Sequence, residues 1–310
     1  MTRVPAWRRL AVAACTAIAL GGSAGAIGAP AAPALPAQKT AILFGQKIRY
    51  FDLGRGPTLV LVHGLGSSAR GDWGQVMQTL ARTHRVLALD LLGFGASDKP
   101  VIAYNVQTWV DFLGEFLRDR RVEGDFTLMG ESLGGWIAAQ YTVQALTGVA
   151  VGPEYLLPRP SKLVLSDAAG FHRPAEAQAT DRIATKLPSG ISLAGQKALL
   201  GAVFHDPAYA SAKGLRTGMA WAIAKGDGWT IQSLMANRSS ADELTGALLA
   251  QVTIPTLVVW GQYDELVPIA DGEGYAAAIP GAKLVVIPDV GHAPMIEAPV
   301  SFLKAVAPFL

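Results

Sequence analysis

The sequence predicts an α/β fold: a mostly parallel sheet with helices on both faces and a helical cap inserted late in the chain. Three observations predict it. Short continuous apolar runs, the mark of strands buried on both faces, alternate with segments of helical spacing. Between Gly170 and Gln251 that alternation stops, and only helix-like stretches remain. In the stretch Phe126-Thr-Leu-Met-Gly-Glu-Ser132-Leu-Gly-Gly-Trp-Ile-Ala139, strand-like sequence turns directly into helix-like sequence.

The elements follow in order. Residues 41–44 and 47–52 alternate as a hairpin with its turn near Gly45, and 58–62 is an apolar run ending in His63-Gly64. The spacing predicts a helix over 73–82, a short strand over 86–90 and a turn-rich loop to Pro100. Trp109, Phe112, Leu113, Phe116 and Leu117 recur at helical spacing within 105–120. A strand over 126–129 leads into a helix over 133–144, and further strands are expected at 162–166, 256–260 and 283–287. Helix-like stretches at 194–202, 218–224 and 230–237 place a cap in 171–250, roofing a core made of 39–170 and 251–310.

With 51% apolar and 16% charged residues, the 310-residue chain has ample material for a buried core. Its net charge of +2 gives no reason to expect a nucleic-acid partner. Arg3, Arg8 and Arg9 precede an apolar stretch from Leu10 to Leu20, and Ala24-Gly25-Ala26 follows as a small-residue cleavage site. That is the pattern of a secretory signal peptide. The apolar part is shorter than the roughly twenty residues a membrane span needs. Residues 1–38 are therefore read as a cleaved leader and a flexible Ala- and Pro-rich tether. The expectation is export to the periplasm or the medium, with no permanent membrane span afterwards. Val12-Ala13-Ala14-Cys15 also resembles a lipoprotein processing site, and Arg8-Arg9 a twin-arginine signal. Cys15 is the only cysteine, so a chain cut after Ala26 can form no disulfide.

The chemistry concentrates at strand ends. Gly130-Glu131-Ser132-Leu133-Gly134 is a G-x-S-x-G motif at a strand-to-helix turn, the context that gives the motif meaning. Such a turn strains the backbone of its central residue and lifts the Ser132 hydroxyl above the sheet. A serine nucleophile needs a base, and the base needs an orienting carboxylate. His292 lies in Pro288-Asp-Val-Gly-His-Ala-Pro294 after the last strand, and Asp264 ends Trp260-Gly-Gln-Tyr-Asp264 after the strand before it. The chain order Ser132, Asp264, His292 is the one expected of an elbow hydrolase. Asp264 also reads as a cap for the helix beyond Pro268, and Asp167 and Asp289 are competing acids. The backbone N–H groups of Leu65 and Leu133 are the candidate oxyanion donors, and His63 is read as a structural hydrogen-bonding residue.

These pieces together resemble the α/β-hydrolase superfamily over roughly residues 41–310. The matching residues are His63-Gly64, Asp90-Leu-Leu-Gly-Phe-Gly-Ala-Ser-Asp-Lys-Pro100, Gly130-Glu-Ser-Leu-Gly134, Trp260-Gly-Gln-Tyr-Asp264 and Gly291-His292. The resemblance implies an α/β-hydrolase fold with an inserted helical cap and a serine hydrolase, a carboxylesterase or lipase, working through an acyl-enzyme on Ser132. Epoxide hydrolases and haloalkane dehalogenases of the superfamily use aspartate where Ser132 stands. Its C–C bond hydrolases usually carry a Pro-Gly loop where Leu65-Gly66-Ser67-Ser68 stands here, which weakens that alternative. A non-catalytic binding or receptor protein on the same fold is the third reading.

No cofactor or metal is expected, since the sequence has no zinc-type His/Cys cluster and no P-loop. The expected partner is a small-molecule ester or acyl substrate. Phe204, Tyr209, Met219, Trp221, Trp229 and Met235 of the cap are read mostly as its packing core, with an apolar acyl pocket as the alternative. Arg182, Lys186, Lys197, Lys213, Arg216, Lys225 and Arg238 are read as a solvated face.

Overall fold

The computed structural model describes residues 34–148, 155–172, 192–237 and 242–310. The leader, most of the tether, and Arg182, Lys186 and Arg238 of the cap lie outside the described residues. No helix among the described residues is long and apolar enough to cross a membrane.

Eight strands form one sheet: β1 (Lys39–Leu43), β2 (Gln46–Leu53), β3 (Thr58–Val62), β4 (Arg85–Leu89), β5 (Phe126–Glu131), β6 (Lys162–Ser166), β7 (Thr256–Gly261) and β8 (Lys283–Ile287). Their spatial order is β1-β2-β4-β3-β5-β6-β7-β8. The β1–β2 and β2–β4 pairs are antiparallel and the remaining pairs parallel. Side chains alternate between two cores because successive strand residues point to opposite faces. Val60 and Val62 of β3 join the cluster that holds Trp109, Leu113 and Ile137, while Leu59 and Leu61 join the one around Trp73, Phe302 and Val306. Each face is thus closed by its own helices, which is why the central strands read as unbroken apolar runs.

On the first face lie α3 (Val106–Asp119) and α4 (Leu133–Thr147); on the second are α1 (Ala69–Trp73), α2 (Met77–Leu80) and a C-terminal helix at Pro299–Val306. Asn105 caps α3, its side chain accepting the Thr108 N–H at 2.9 Å. The single helix expected over 73–82 is instead two short ones. Helix α1 starts earlier because Ser68 caps it, accepting the Gly71 N–H at 3.0 Å. The helical spacing itself is real, since Ala69, Trp73, Val76, Met77 and Leu80 are all buried together.

The interval between β6 and β7 contains α5 (Leu193–Val203), α6 (Ala212–Lys225), α7 (Gly228–Asn237) and the one-turn α8 (Gly246–Leu249). Apart from an isolated bridge between Phe171 and Leu244, its described residues carry no strand. That bridge joins the two chain segments through which the interval leaves and re-enters the core. The helices rest on loops at the C-terminal ends of the parallel strands. The Val203 carbonyl accepts the His292 N–H at 2.7 Å, Thr230 Oγ1 donates to the Gly93 carbonyl at 3.1 Å, and the Tyr104 N–H donates to Ser233 Oγ at 2.9 Å. Of the six apolar residues expected to pack the cap, Phe204 is buried and stacks on Tyr209, whereas Trp221, Trp229 and Met235 are exposed.

Candidate active site

Ser132 sits between β5 and α4 with φ 52° and ψ −117°, a conformation that L-residues rarely adopt. The turn is tied down from both sides. The Ser132 N–H donates to the Ser166 carbonyl, and the Ala169 N–H donates to the Ser132 carbonyl, each at 3.0 Å. It also requires glycine, because a Cβ on Gly134 would lie 2.2 Å from the Val62 carbonyl oxygen. Leu133 is the first residue of α4, so its N–H belongs to the unpaired positive end of a fifteen-residue helix.

His292 and Asp264 come together as the sequence order implied. His292 Nδ1 lies 2.7 Å from Asp264 Oδ2, and both residues are buried. The other Asp264 oxygen accepts the N–H groups of Leu266 and Val267 at 2.8 and 2.9 Å. Asp264 therefore caps the turn after β7 and not the helix beyond Pro268 that its sequence context suggested, and that task fixes the carboxylate that faces the imidazole. The helix beyond starts at Ile269 with Pro268 in the cap position. Asp289 is exposed, and its N–H donates to Gln262 Oε1 at 3.2 Å.

Asp167 is fully buried, with φ 46°, and hydrogen-bonds to Asp264. It also accepts the Gly261 N–H at 2.8 Å and the Ser166 hydroxyl at 2.9 Å. Burial, reinforced by the neighbouring Asp264 charge, pushes Asp167 well above the ordinary carboxyl range. Asp167, Asp264 and His292 place ligand-type atoms within 4.8 Å of one another. Two hard carboxylates and one imidazole, already hydrogen-bonded among themselves, resemble a charge-relay cluster more than a zinc site.

The loop after β3 carries Leu65. His63 is fully buried; its Nε2 accepts the Leu91 N–H at 2.9 Å and its Nδ1 lies 2.8 Å from the Gly64 carbonyl. This agrees with its structural reading. Asp72 of α1 accepts the Gly64 N–H at 2.8 Å and the Ser67 hydroxyl, holding the loop from below. A Cβ on Gly64 would lie 2.0 Å from Glu131 Oε2 and 3.1 Å from the Ser132 Cβ, so this loop passes directly over the elbow.

Sequence reasoning missed two features here. Glu131 is buried, hydrogen-bonds to Asp72, and has Oε1 3.4 Å from His292 Nε2. Burial first, then the negative neighbours Asp72, Asp167 and Asp264, pushes its carboxyl well above the usual glutamate value. Its only sequence signal was an acidic residue inside an otherwise apolar elbow. Lys225, expected on a solvated face, instead bonds to the Gly66 carbonyl with its Nζ 3.4 Å from the Trp221 ring centroid. Burial lowers its pKa to about 8. Asp227 beside it is buried, with Oδ2 lacking a hydrogen-bond partner among the described residues.

Comparison with known proteins places the chain in a family. A model of the alpha/beta hydrolase fold matches residues 57–299, and the chain belongs to that family. The 2-hydroxy-6-oxo-6-(2'-aminophenyl)hexa-2,4-dienoic acid hydrolase of Metapseudomonas resinovorans is 28% identical over 273 residues, covering 86% of this chain and 88% of that one. Lipase 1 of Psychrobacter immobilis is 27% identical over 267 residues, covering 82% of this chain and 77% of the lipase. The solved meta-cleavage product hydrolase from Pseudomonas fluorescens IP01 superposes with a TM-score of 0.73 at 22% identity, covering 87% of this chain and 96% of that one. The last likeness is one of fold.

Proposed function

We propose that this chain is a serine hydrolase of carboxylic esters, with Ser132 as nucleophile, His292 as base and Asp264 as its orienting acid. The observation that supports it most is the buried 2.7 Å contact between His292 and Asp264, with His292 Nε2 3.4 Å from Glu131, the residue that precedes the strained Ser132. In this reading Ser132 Oγ attacks the ester carbonyl carbon while His292 Nε2 takes the hydroxyl proton. The Leu65 and Leu133 N–H groups receive the charge that develops on the carbonyl oxygen. Collapse of the tetrahedral intermediate expels the alcohol, which takes the proton from His292 and leaves an acyl-enzyme. Water activated by the same imidazole then releases the acid. Residues 171–250 act as a cap that selects the acyl group, and the leader sends the enzyme out of the cytoplasm.

A second reading has a specific observation in its favour, the similarity to hydrolases named for 2-hydroxy-6-oxo-dienoic acids. There the bond broken is carbon–carbon rather than ester. A p-nitrophenyl ester chain-length series run beside a vinylogous diketone separates the two. Ester turnover that disappears in Ser132→Ala supports the proposal. Diketone turnover with negligible ester hydrolysis would replace it, and no turnover on either would favour a binding protein.

A further inference from the structure

Three carboxyl side chains surround the His292 imidazole, Glu131 at the end of β5, Asp167 after β6 and Asp264 after β7, and a fourth, Asp72 of α1, acts on Glu131. Asp264 has an evident task, and Asp167 supports it. Glu131 is different because it touches both halves of the site. One of its oxygens faces His292 Nε2 at 3.4 Å, the nitrogen that must take and return the serine proton. Its carboxyl also hydrogen-bonds to Asp72, which in turn holds the Gly64 N–H and the Ser67 hydroxyl of the oxyanion loop. Glycine at position 64 leaves room for that carboxyl, since a Cβ there would lie 2.0 Å from Glu131 Oε2.

We propose that Glu131 is a positioning residue that links the base to the oxyanion loop. Its O–H donates to Asp72 and fixes the loop; its carbonyl oxygen stands beside His292 Nε2 and steadies the imidazolium that forms during acyl transfer. The protonation state matters. A carboxylate this close would hold the proton on Nε2 and place negative charge next to the developing oxyanion, whereas a neutral acid offers an acceptor without trapping the proton. Burial among Asp72, Asp167 and Asp264 keeps Glu131 in the neutral form. Lys225, whose charge also acts on Asp72, is the cation on the cap side of the oxyanion loop.

This inference rests on the serine-hydrolase reading, and its test separates the two. The rate at which a fluorophosphonate labels Ser132 is measured against pH for the wild type, Glu131→Gln and Glu131→Met, with thermal unfolding as the folding control. Glutamine can present a carbonyl oxygen to His292 and an N–H to Asp72, so it should keep the neutral-pH rate within about threefold, whereas methionine, which fills the space only, should lose about tenfold to a hundredfold. The wild-type rate should fall as pH rises through the ionisation of Glu131, and Glu131→Gln should lack that limb; a limb that persists in it and disappears in Lys225→Met belongs to the lysine. Wild-type rates and pH dependence in Glu131→Met would overturn the inference, as would a Glu131→Gln rate as low as that of methionine. If Glu131→Met does not fold, an unchanged alkaline limb in Glu131→Gln that Lys225→Met does not remove overturns it alone. An unlabelled wild type would overturn the serine-hydrolase reading itself, and this inference with it.

Discussion

At the strand ends, Ser132 and Asp264 are held by the backbone of the sheet and its loops, and only the His292 backbone leans on the cap, at Val203. Ser132 is pinned by hydrogen bonds to Ser166 and Ala169, and Asp264 by the N–H groups of Leu266 and Val267. In the cap, by contrast, the residues of α6 are at most partly buried, and Lys225 is its hydrogen-bonded link to the oxyanion loop. The floor is over-determined and the roof lightly attached. Chemistry that tolerates errors of only fractions of an ångström is built into the first. In the proposed function, selection among acyl groups, which tolerates and even profits from adjustment, falls to the second.

The comparison breaks most visibly if changes at the floor are mild. Ser132→Ala and His292→Ala should each lower kcat by about 10⁴-fold to 10⁶-fold without a compensating change in KM, and the double variant should be no worse, because the residues act as a unit. Steady-state kinetics on a p-nitrophenyl ester checks this. Asp264→Asn should cost about 10³-fold to 10⁴-fold, since the imidazole loses its orienting acceptor and favours the wrong tautomer. A loss of only a few-fold in Asp264→Asn would show that Asp167, already hydrogen-bonded to that site, takes over as acid; the double variant with Asp167→Asn would then lose the remainder.

Backbone tolerances sharpen the same contrast. Gly134→Ala drives a methyl group into the Val62 carbonyl at 2.2 Å and should cost several kcal/mol of stability, about 3 or more, measured by denaturant titration. The roof should respond less. Lys225→Met should lower ester turnover by about tenfold or less, because it removes one contact to the oxyanion loop rather than a reacting group. Its pH signature follows from the depressed pKa of about 8. The folded chain sheds the lysine proton before the unfolded chain does, so between about pH 8 and the unfolded value near 10.4 this residue makes stability rise with pH. Lys225→Met should flatten that rise. Glu131 has the opposite sign: its raised folded value means that its contribution is complete below the unfolded pKa and is lost as pH rises through the folded one. Glu131→Gln should therefore lose less stability as pH rises above the unfolded glutamate pKa.

The floor was legible in the sequence because each of its pieces follows a recognisable strand. The elbow, the His63-Gly64 turn and the loops carrying Asp264 and His292 are local patterns, and their order in the chain carried the rest. Glu131 and Asp72 were not legible, because periodicity cannot show that two acids far apart in sequence meet under a loop. Lys225 was misread for a related reason: helical spacing says which face a residue occupies, not that a cation on that face will meet a carbonyl of another segment. The early start of α1 was missed at Ser68, a residue whose capping role competes with many other turn uses of serine.

The central claim is that Ser132 is a nucleophile activated by His292. Its most direct test is peptide mass spectrometry of the purified chain after a fluorophosphonate, with ester turnover followed in the same sample. One adduct is expected, on Ser132, forming as turnover disappears and greatly slowed in His292→Ala. Ester turnover that survives the reagent, or an adduct on another residue with Ser132→Ala still active, would contradict it.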